Sequence, residues 1–223
     1  MAKTSNERIK SLCSMAMLTA IAIVADILIR IPNIGGFLTY EPKDVVLTIG
    51  GFIFGPVAGI LMALVVCLIE MVTISTTGII GFVMNFLASG VFIGVASVIY
   101  FKKKNLSRAI IGLVASTLSL IVVMLLWNYI MTPIFFGMPR EAVLEMFLPL
   151  LIPFNAIKGT LNSALTLLLY KGVVTALRKS GLVPKRESAD NENFKTNTII
   201  LIIVSAFIVA TLILVLLIFA GII

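Results

Sequence analysis

Asn155, Lys158 and Asn162 form the most distinctive polar pattern of the chain, in an otherwise apolar stretch that contains the segment PFNAIKG. The spacing i, i+3, i+7 places three residues on one face of a helix. An ammonium group donates up to three hydrogen bonds, and an amide both donates and accepts. The pattern therefore predicts a face that binds a ligand with carbonyl, ring-nitrogen or hydroxyl groups. An ion pair of Lys158 with Glu70 or Asp44 that stabilises a helix bundle is compatible with this interpretation.

The composition indicates an integral membrane protein. Of the 223 residues, 60% are hydrophobic and 12% are charged, against about 45–50% and about 25% in soluble domains. A water-soluble chain of this length could neither cover nor bury so much apolar surface. The net charge of +7 is typical of a membrane protein with basic cytoplasmic loops, so no nucleic-acid partner is expected.

Several groups that enzymes use are missing from the sequence. It contains no histidine, which excludes a Ser-His-Asp triad and a histidine-bound zinc ion. Cys13 and Cys67 stand in separate apolar runs and are expected to be small buried side chains. No Walker A or GxGxxG sequence opens a helix, so any ATP must be bound by another chain. We expect no catalytic residue, metal or cofactor; Glu70 with Lys158 is the one pair that an intramembrane enzyme could use.

Long uncharged runs predict the membrane spans, because a span needs about 20 apolar residues. The runs are 11–29, 45–69, 79–101, 109–131, 149–170 and 198–223.

Clusters of Lys and Arg predict the orientation of these spans. They lie near the amino terminus, at 102–108 and at 171–186, and the positive-inside rule places all three in the cytoplasm. Three single spans before Lys102 would put the second cluster outside, so the second run must cross twice. The Gly55-Pro56 pair breaks that run and predicts a short helix at about 44–54 and a longer one at about 56–74. The amino terminus is then cytoplasmic.

The chain is predicted to have three parts. Residues 1–177 form a six-helix membrane domain that binds the ligand, and residues 178–197 form a polar cytoplasmic linker with Gly, Pro and mixed charge. Residues 198–223 carry no charge or proline and form an additional transmembrane helix.

With this topology, the polar groups within the spans gather at the outer ends of the helices. Such groups are costly in a membrane and usually bind a ligand or one another. They predict a pocket that is open to the outside and closed below by an apolar floor. The candidate ligand-binding residues on the helices are Asp44, Glu70, Asn85, Asn128, Asn155 and Lys158.

Some of these polar groups have equally good structural roles. Asn128 stands between two aromatic residues and could belong to an interfacial aromatic belt, and Asn85 could join two helices by a hydrogen bond. Asp26 and Arg30, at i and i+4, are expected to form a local ion pair rather than to bind ligand.

Two outer loops could cover such a pocket. The loop 30–44 is rich in Gly and Pro, and in it Thr39 and Tyr40 are candidates for a lid that contacts the ligand; a simple connection is the alternative. The loop 132–148 contains an amphipathic REAVLEMF turn, which would cover the pocket or lie on the lipid headgroups.

Ala16 and Ala20 place two small residues one helical turn apart on the first span. Small residues at this spacing allow another helix to approach closely. The spacing alone favours packing within the bundle.

Several segments, taken in order, resemble one family. They are AMLTAIAIV, PKDVVLTIGGFIFGPVAGILMALVVCLIE, MNFLASGVF, WNYIMTPIFFG and IPFNAIKGTLNSALTLLLYK. Together they resemble the substrate-binding S component of energy-coupling factor (ECF) vitamin transporters, and within it the riboflavin-specific members, over about residues 8–178. Ser89, the PKD sequence and the seventh helix depart from the family pattern.

The resemblance implies an all-α membrane protein of the cell membrane that captures riboflavin from outside. It also implies a membrane coupling subunit and two cytoplasmic ATPases as partners, with Ala16 and Ala20 as the contact with the coupling subunit. The ligand positions that match the family are Thr39, Tyr40, Asp44, Asn85, Asn128, Asn155 and Lys158. An S component for folate, pantothenate or a thiamin precursor, and a stand-alone secondary transporter, are the alternatives.

Overall fold

In a computed structural model of the protein, residues 5–34, 38–75, 77–181, 206, 208–213 and 215 are described. This part of the chain is mainly helical. Its elements are α1 (Ser5–Ile29), β1 (Ile31–Ile34), β2 (Leu38–Tyr40), α2 (Lys43–Phe54), α3 (Pro56–Thr73), α4 (Gly78–Lys103), α5 (Leu106–Phe136), α6 (Arg140–Glu145), a π-helical turn (Phe147–Leu151) and α7 (Ile152–Lys179).

The all-α membrane fold is confirmed. Five helical segments of the described chain are long and apolar enough to cross a bilayer: Asn6–Ile29, Pro56–Thr73, Gly78–Lys103, Leu106–Phe136 and Arg140–Leu177. Large apolar side chains such as Val57, Leu118 and Val122 are more than half exposed on the outside of the bundle. Lipid chains can cover such a surface, whereas water cannot do so without a large cost in free energy.

The predicted break at Gly55 is confirmed. Gly55 has φ +106°, a conformation that L side chains rarely adopt, and Pro56 then begins α3. A helix of the length of α2 rises only about 18 Å, too short to span a bilayer alone. The helix is nevertheless almost entirely buried because it packs among α1, α3, α4 and α7.

The end of α5 was predicted too early. From the uncharged run 109–131 we expected the span to stop at residue 131 and residues 132–148 to form a loop. In the structure α5 continues to Phe136 and ends at Gly137, which has φ +65° and is a left-handed helix stop. Most of the remaining expected loop is helical too, since it contains α6 and the π-helical turn.

The loop after α1 contains a feature that the sequence analysis did not predict. β1 and β2 pair as an antiparallel hairpin, with Ile31 opposite Tyr40 and Ile34 opposite Leu38. The side chains of Ile34, Leu38 and Tyr40 are buried against Phe154 and Leu161 of α7. The hairpin is therefore anchored on the bundle by apolar contacts.

Connections between the helices place the polar and the basic groups at opposite ends of the bundle. The end that carries the hairpin also contains the end of α3, the start of α4, the end of α5 and the start of α7. The Lys102–Lys104 cluster lies at the other end of α4, and Lys171 lies far along α7. This agrees with the segregation expected from the sequence.

The predicted linker and seventh helix fall largely outside the described residues. Of the segment 198–223, residues 206, 208–213 and 215 are described, and they are helical. Val209 and Leu212 pack against the apolar cluster that contains Phe154 and Leu161.

Replacing Gly112 by Ala tests the close packing of α4 and α5. A Cβ atom at Gly112 would lie 2.8 Å from the backbone oxygen of Ala96, whereas one at Gly90 would meet nothing within 4 Å. We expect Gly112→Ala to lower the free energy of unfolding by about 1–3 kcal/mol through overpacking. Gly90→Ala, the matched control, should leave it unchanged or raise it by up to about 1 kcal/mol. Thermal unfolding of both variants in detergent measures the difference, and equal stabilities would contradict the packing.

Candidate ligand-binding site

Glu41 is the centre of the polar end of the bundle. Its carboxylate is 1% exposed and lies 3.1 Å from Lys43 Nζ, 3.3 Å from Lys158 Nζ and 3.2 Å from Arg30 Nη2. It also accepts a hydrogen bond of 3.0 Å from Asn85 Nδ2. One carboxylate thus joins the end of α1, the start of α2, α4 and α7.

The local backbone explains how Glu41 reaches this position. It stands between β2 and α2, directly after Tyr40, whose side chain is buried against α7. The phenol of Tyr40 donates a hydrogen bond of 3.0 Å to Asn162 Oδ1. Because Tyr40 is fixed in this way, the next residue is directed towards the helix ends. Thr39 on the same strand is half-buried.

Two further carboxylates beside Glu41 are paired. The Lys43 ammonium, itself fully buried, bonds both oxygens of Glu70 as well as Glu41. Asp44 Oδ1 accepts a hydrogen bond of 2.5 Å from Ser89 Oγ on α4. Asp44 and Glu70 are therefore close to the Glu41 cluster, but their contacts in the structure are to other side chains of the bundle.

The structure corrects the ion pair considered for Lys158. The sequence suggested Glu70 or Asp44 as its partner, and the observed partner is Glu41. Glu70 is instead occupied by Lys43. The expected local pair of Asp26 and Arg30 is present, with 3.8 Å between Asp26 Oδ2 and Arg30 Nη1.

Neighbouring charges keep Glu41 ionised. Burial by itself would raise the pKa of Glu41, but the cations of Lys43, Lys158 and Arg30 outweigh it and hold that pKa below its ordinary value. Burial raises the pKa of Tyr40, so its phenol remains a neutral hydrogen-bond donor. The site therefore combines a permanent anion, three cations and neutral donors.

The amide side chains on α7 are buried and only partly satisfied. Asn155 Nδ2 donates a hydrogen bond of 2.8 Å to the Leu151 carbonyl, which lies one turn earlier. Asn162 accepts from Tyr40, while its Nδ2 atom has no hydrogen-bond partner among the described residues. Lys158 lies between these two amides on the same helix face. The predicted polar stripe thus points into the bundle rather than towards lipid.

A cleft opens between α4 and α5 at the same end of the bundle. Its cavity volume is about 50 Å³, well below the range of about 300–1,000 Å³ for preformed small-molecule pockets. Its wall is mainly apolar and aromatic, with Met84, Trp127, Phe135 and Phe136. Asn128 also lines the cleft. Its amide donates a hydrogen bond to the Met124 carbonyl and accepts one from the Thr132 hydroxyl.

Ala16 and Ala20 lie on the outside of α1. Both are exposed, as are the apolar neighbours Met17, Ile21 and Val24. The small-residue pair therefore does not serve packing within the described bundle, which is the role that its spacing alone favoured.

The structure brings most of the sequence-predicted ligand residues to one end of the bundle. Asn85 and Lys158 meet at Glu41, and Glu70 is joined to Glu41 through Lys43. Asp44 follows Lys43 in the first turn of α2 and bonds Ser89. The structure does not bring Asn128 into this cluster; it lies on the cleft wall. Sequence analysis missed Glu41 and Lys43. They were overlooked because they stand in a loop rich in Gly and Pro, which was expected to be a lid or a simple connection. Two charged residues next to Asp44 at the start of a helix could have indicated a buried charge cluster.

Comparison with known proteins identifies the family. Residues 10–170 match the family described as "ECF transporter, substrate-specific component". The chain belongs to this family. The family predicted from the sequence segments is therefore confirmed, and the chain is the S component of an ECF transporter.

Two curated relatives and one solved structure are similar over most of the chain. The Staphylococcus aureus (strain TCH60) protein named riboflavin transporter RibU is 32% identical over 184 residues, which are 79% of this chain and 97% of that protein. The Bacillus subtilis (strain 168) protein named riboflavin transporter FmnP is 28% identical over 163 residues, 68% of this chain and 85% of that protein. A solved S component of a bacterial ECF transporter aligns with TM-score 0.65 and 34% identity, covering 76% of this chain and 98% of the other.

Glu41→Gln tests whether this carboxylate stabilises the S component. The variant leaves Arg30, Lys43 and Lys158 without their shared anion, and the loss of one partner from a buried ion cluster is costly. We expect the free energy of unfolding to fall by about 3 kcal/mol, measured by thermal unfolding without ligand. Glu145→Gln, the same change at an exposed residue of α6, is the control. A Glu41 variant as stable as this control would contradict the central role of the carboxylate.

Proposed function

We propose that this S component binds riboflavin from outside the cell and delivers it inward. The observation that carries the proposal is the face of α7, where Asn155, Lys158 and Asn162 are buried. An aromatic cleft between α4 and α5 opens at the same end of the bundle. The names of the two curated relatives support riboflavin as the ligand.

The chemistry of the site suits a flavin. Ammonium and amide groups would bind the carbonyls and ring nitrogens of the pyrimidine edge and the ribityl hydroxyls, while Met84, Trp127 and Phe135 would bury the dimethylbenzene ring. Asn162 Nδ2 is a free donor within the described structure. Lys158 and Asn85 would exchange part of their bonding to Glu41 for bonds to the ligand. Thr39 and Tyr40 would close the loop over it.

Transport requires other chains. We infer that a membrane coupling subunit and two ATPases, typical of this family, supply the energy, since this chain has no ATP-binding motif. The exposed Ala16 and Ala20 on α1 would contact the coupling subunit, because their small side chains permit a close helix approach. Residues 1–177 would form the ligand-binding unit, with 178–197 as a linker and 198–223 as a further transmembrane helix.

The bundle would be inserted in the cell membrane with its amino terminus in the cytoplasm. This orientation places Lys102–Lys104, at the end of α4, on the cytoplasmic side as the positive-inside rule requires. It places the Glu41 cluster at the outer face, where a vitamin arrives.

Titration of the purified protein with a panel of vitamins tests the proposed ligand. We expect riboflavin fluorescence to be quenched on binding, and expect folate, pantothenate and thiamin not to compete at equal concentration. The protein purified from cells should be yellow if it retains riboflavin. Tight binding of another vitamin in place of riboflavin would assign the S component to that vitamin.

The same titration with Lys158→Ala and Asn155→Ala tests the α7 face. Each variant should weaken riboflavin binding by about 1–3 kcal/mol, because a polar group of the ligand would be left buried without its partner. Lys171→Ala is the control, since Lys171 is exposed at the other end of α7. Unchanged affinity in both site variants would remove α7 from the pocket.

Ala16→Trp and Ala20→Trp test the coupling contact. Both side chains point away from the bundle, so we expect riboflavin affinity to be retained and uptake to be lost in cells that contain the coupling subunit and ATPases. Val122→Trp, at an exposed position of α5, controls for a bulky residue facing lipid. If uptake by the α1 variants equals that of the control, α1 does not dock through these residues.

A further inference from the structure

The helical residues near the carboxyl terminus have two different sides. We call residues 206, 208–213 and 215, which are helical, the C-terminal helix. Ala210 and Ile213 are exposed, whereas the partly buried side chains are Ile208, Val209, Leu212 and Val215. The spacing i, i+1, i+4, i+7 of the partly buried residues covers about a third of a helix circumference. A helix surrounded only by lipid would have no shielded face, so this face is packed on the bundle.

The surface beneath this face includes an apolar stripe of α7. The stripe consists of Phe154, Ile157, Leu161 and Leu165. Their spacing i, i+3, i+7, i+11 places them on one side of the helix. The polar stripe that starts at Asn155 is displaced from it by one residue, so the two stripes lie side by side along α7.

The β1–β2 hairpin and the C-terminal helix meet at the same apolar cluster. Ile34, Leu38 and Tyr40 of the hairpin are buried in it, together with Phe154 and Leu161 of α7. Val209 and Leu212 of the C-terminal helix pack against this cluster from outside. One set of apolar contacts therefore joins α7, the hairpin and the C-terminal helix.

The hairpin depends on these contacts for its stability. β1 has four residues and β2 has three, and an isolated two-stranded hairpin is marginally stable at best. The only side-chain hydrogen bond described between the hairpin and α7 is the one from Tyr40 to Asn162. Apolar packing must supply the rest, so a loss of packing in the cluster should allow the hairpin to open more easily.

The C-terminal helix lies beyond the part of the chain that matches the family, which ends at residue 170. Its packed face carries only Ile, Val and Leu side chains. Helices in a membrane associate through such close packing, because lipid chains remove the ordinary hydrophobic driving force. The contact with the cluster is therefore a packing interaction that is added to the family bundle.

We propose that the C-terminal helix is a brace for the hairpin. It docks through Val209 and Leu212 on the apolar cluster and keeps Glu41, which follows β2 directly, among Arg30, Lys43 and Lys158. The occupant of this docking surface is a segment of the same chain, and the docking does not depend on which vitamin is carried.

A consequence for the ligand rests on the proposed function. The hairpin carries Thr39 and Tyr40, which would lie over the bound ligand. A brace that keeps the hairpin closed slows the release of that ligand.

Hydrogen exchange of the full-length protein without ligand tests the brace. Leu212→Ala shortens a side chain on the packed face, and Ile213→Ala, the matched control, shortens one on the exposed face. We expect the amides of Ile31–Ile34 and Leu38–Tyr40 to exchange at least about threefold faster in Leu212→Ala, because local opening becomes easier. Exchange in Ile213→Ala, and exchange of α4 in both variants, should equal that of the wild type.

Two results of this measurement would contradict the brace. Equal hairpin exchange in Leu212→Ala and Ile213→Ala would leave the C-terminal helix as an anchor that does not support the hairpin. Equally faster exchange of the hairpin and of α4 in Leu212→Ala would mean that the contact stabilises the whole bundle instead.

The oligomeric state shows which chain supplies the helix. Light scattering should give the same mass for the wild type and Leu212→Ala, and hairpin exchange should not depend on protein concentration. A wild-type dimer that Leu212→Ala dissociates would show that the helix docks on a second copy, and it would overturn docking within one chain.

Release of riboflavin separates this inference from the proposed function. After dilution of the complex, riboflavin fluorescence should recover at least about threefold faster with Leu212→Ala than with the wild type, since the hairpin opens more often. Ile213→Ala should release riboflavin at the wild-type rate, and equal rates in the two variants would overturn the effect on release. If the wild type does not bind riboflavin, the proposed function fails, whereas hydrogen exchange without ligand still decides whether the brace exists.

Discussion

The ionised carboxylate of Glu41 is the group on which the polar end of this protein depends. A charge that is removed from water must be compensated by nearby opposite charges and hydrogen-bond donors. Arg30, Lys43, Lys158 and Asn85 supply them, each from a different element. The ends of α1, α2, α4 and α7 must therefore meet at one point, and the connection between α1 and α2 must be folded to bring Glu41 there.

This requirement explains why a helix too short to span the membrane is retained in the bundle. α2 begins with Lys43 and Asp44, so its first turn completes the charge cluster. The rest of the helix is apolar and approaches α3 and α4 closely, since a Cβ at Gly59 would lie 3.0 Å from Gly51 Cα and 2.7 Å from an Ile93 methyl carbon. Ion pairs at its first turn and close glycine contacts along its length hold α2 in the bundle, although the helix does not span the membrane.

The bundle has two distinct polar and apolar surfaces. The inner face of α7 carries buried amide and ammonium groups, and the cleft between α4 and α5 has apolar and aromatic walls. The outer face of α1, with Ala16 and Ala20, is exposed and apolar. Under the proposed function, the first surface would bind the ligand and the second would contact another subunit.

The sequence by itself determined the membrane class, the helical fold, the break at Gly55 and the family, since these follow from hydropathy, from backbone preferences and from local segments. It also placed Asn85, Lys158, Asp44 and Glu70 at one end, because charge distribution sets the orientation of each helix. Only the tertiary structure decided which charges pair. The sequence offered Glu70 and Asp44 as partners of Lys158, whereas the hairpin that brings Glu41 to it depends on apolar contacts of Tyr40 and Leu38 with α7. Those contacts join residues more than a hundred positions apart, and no local pattern encodes them.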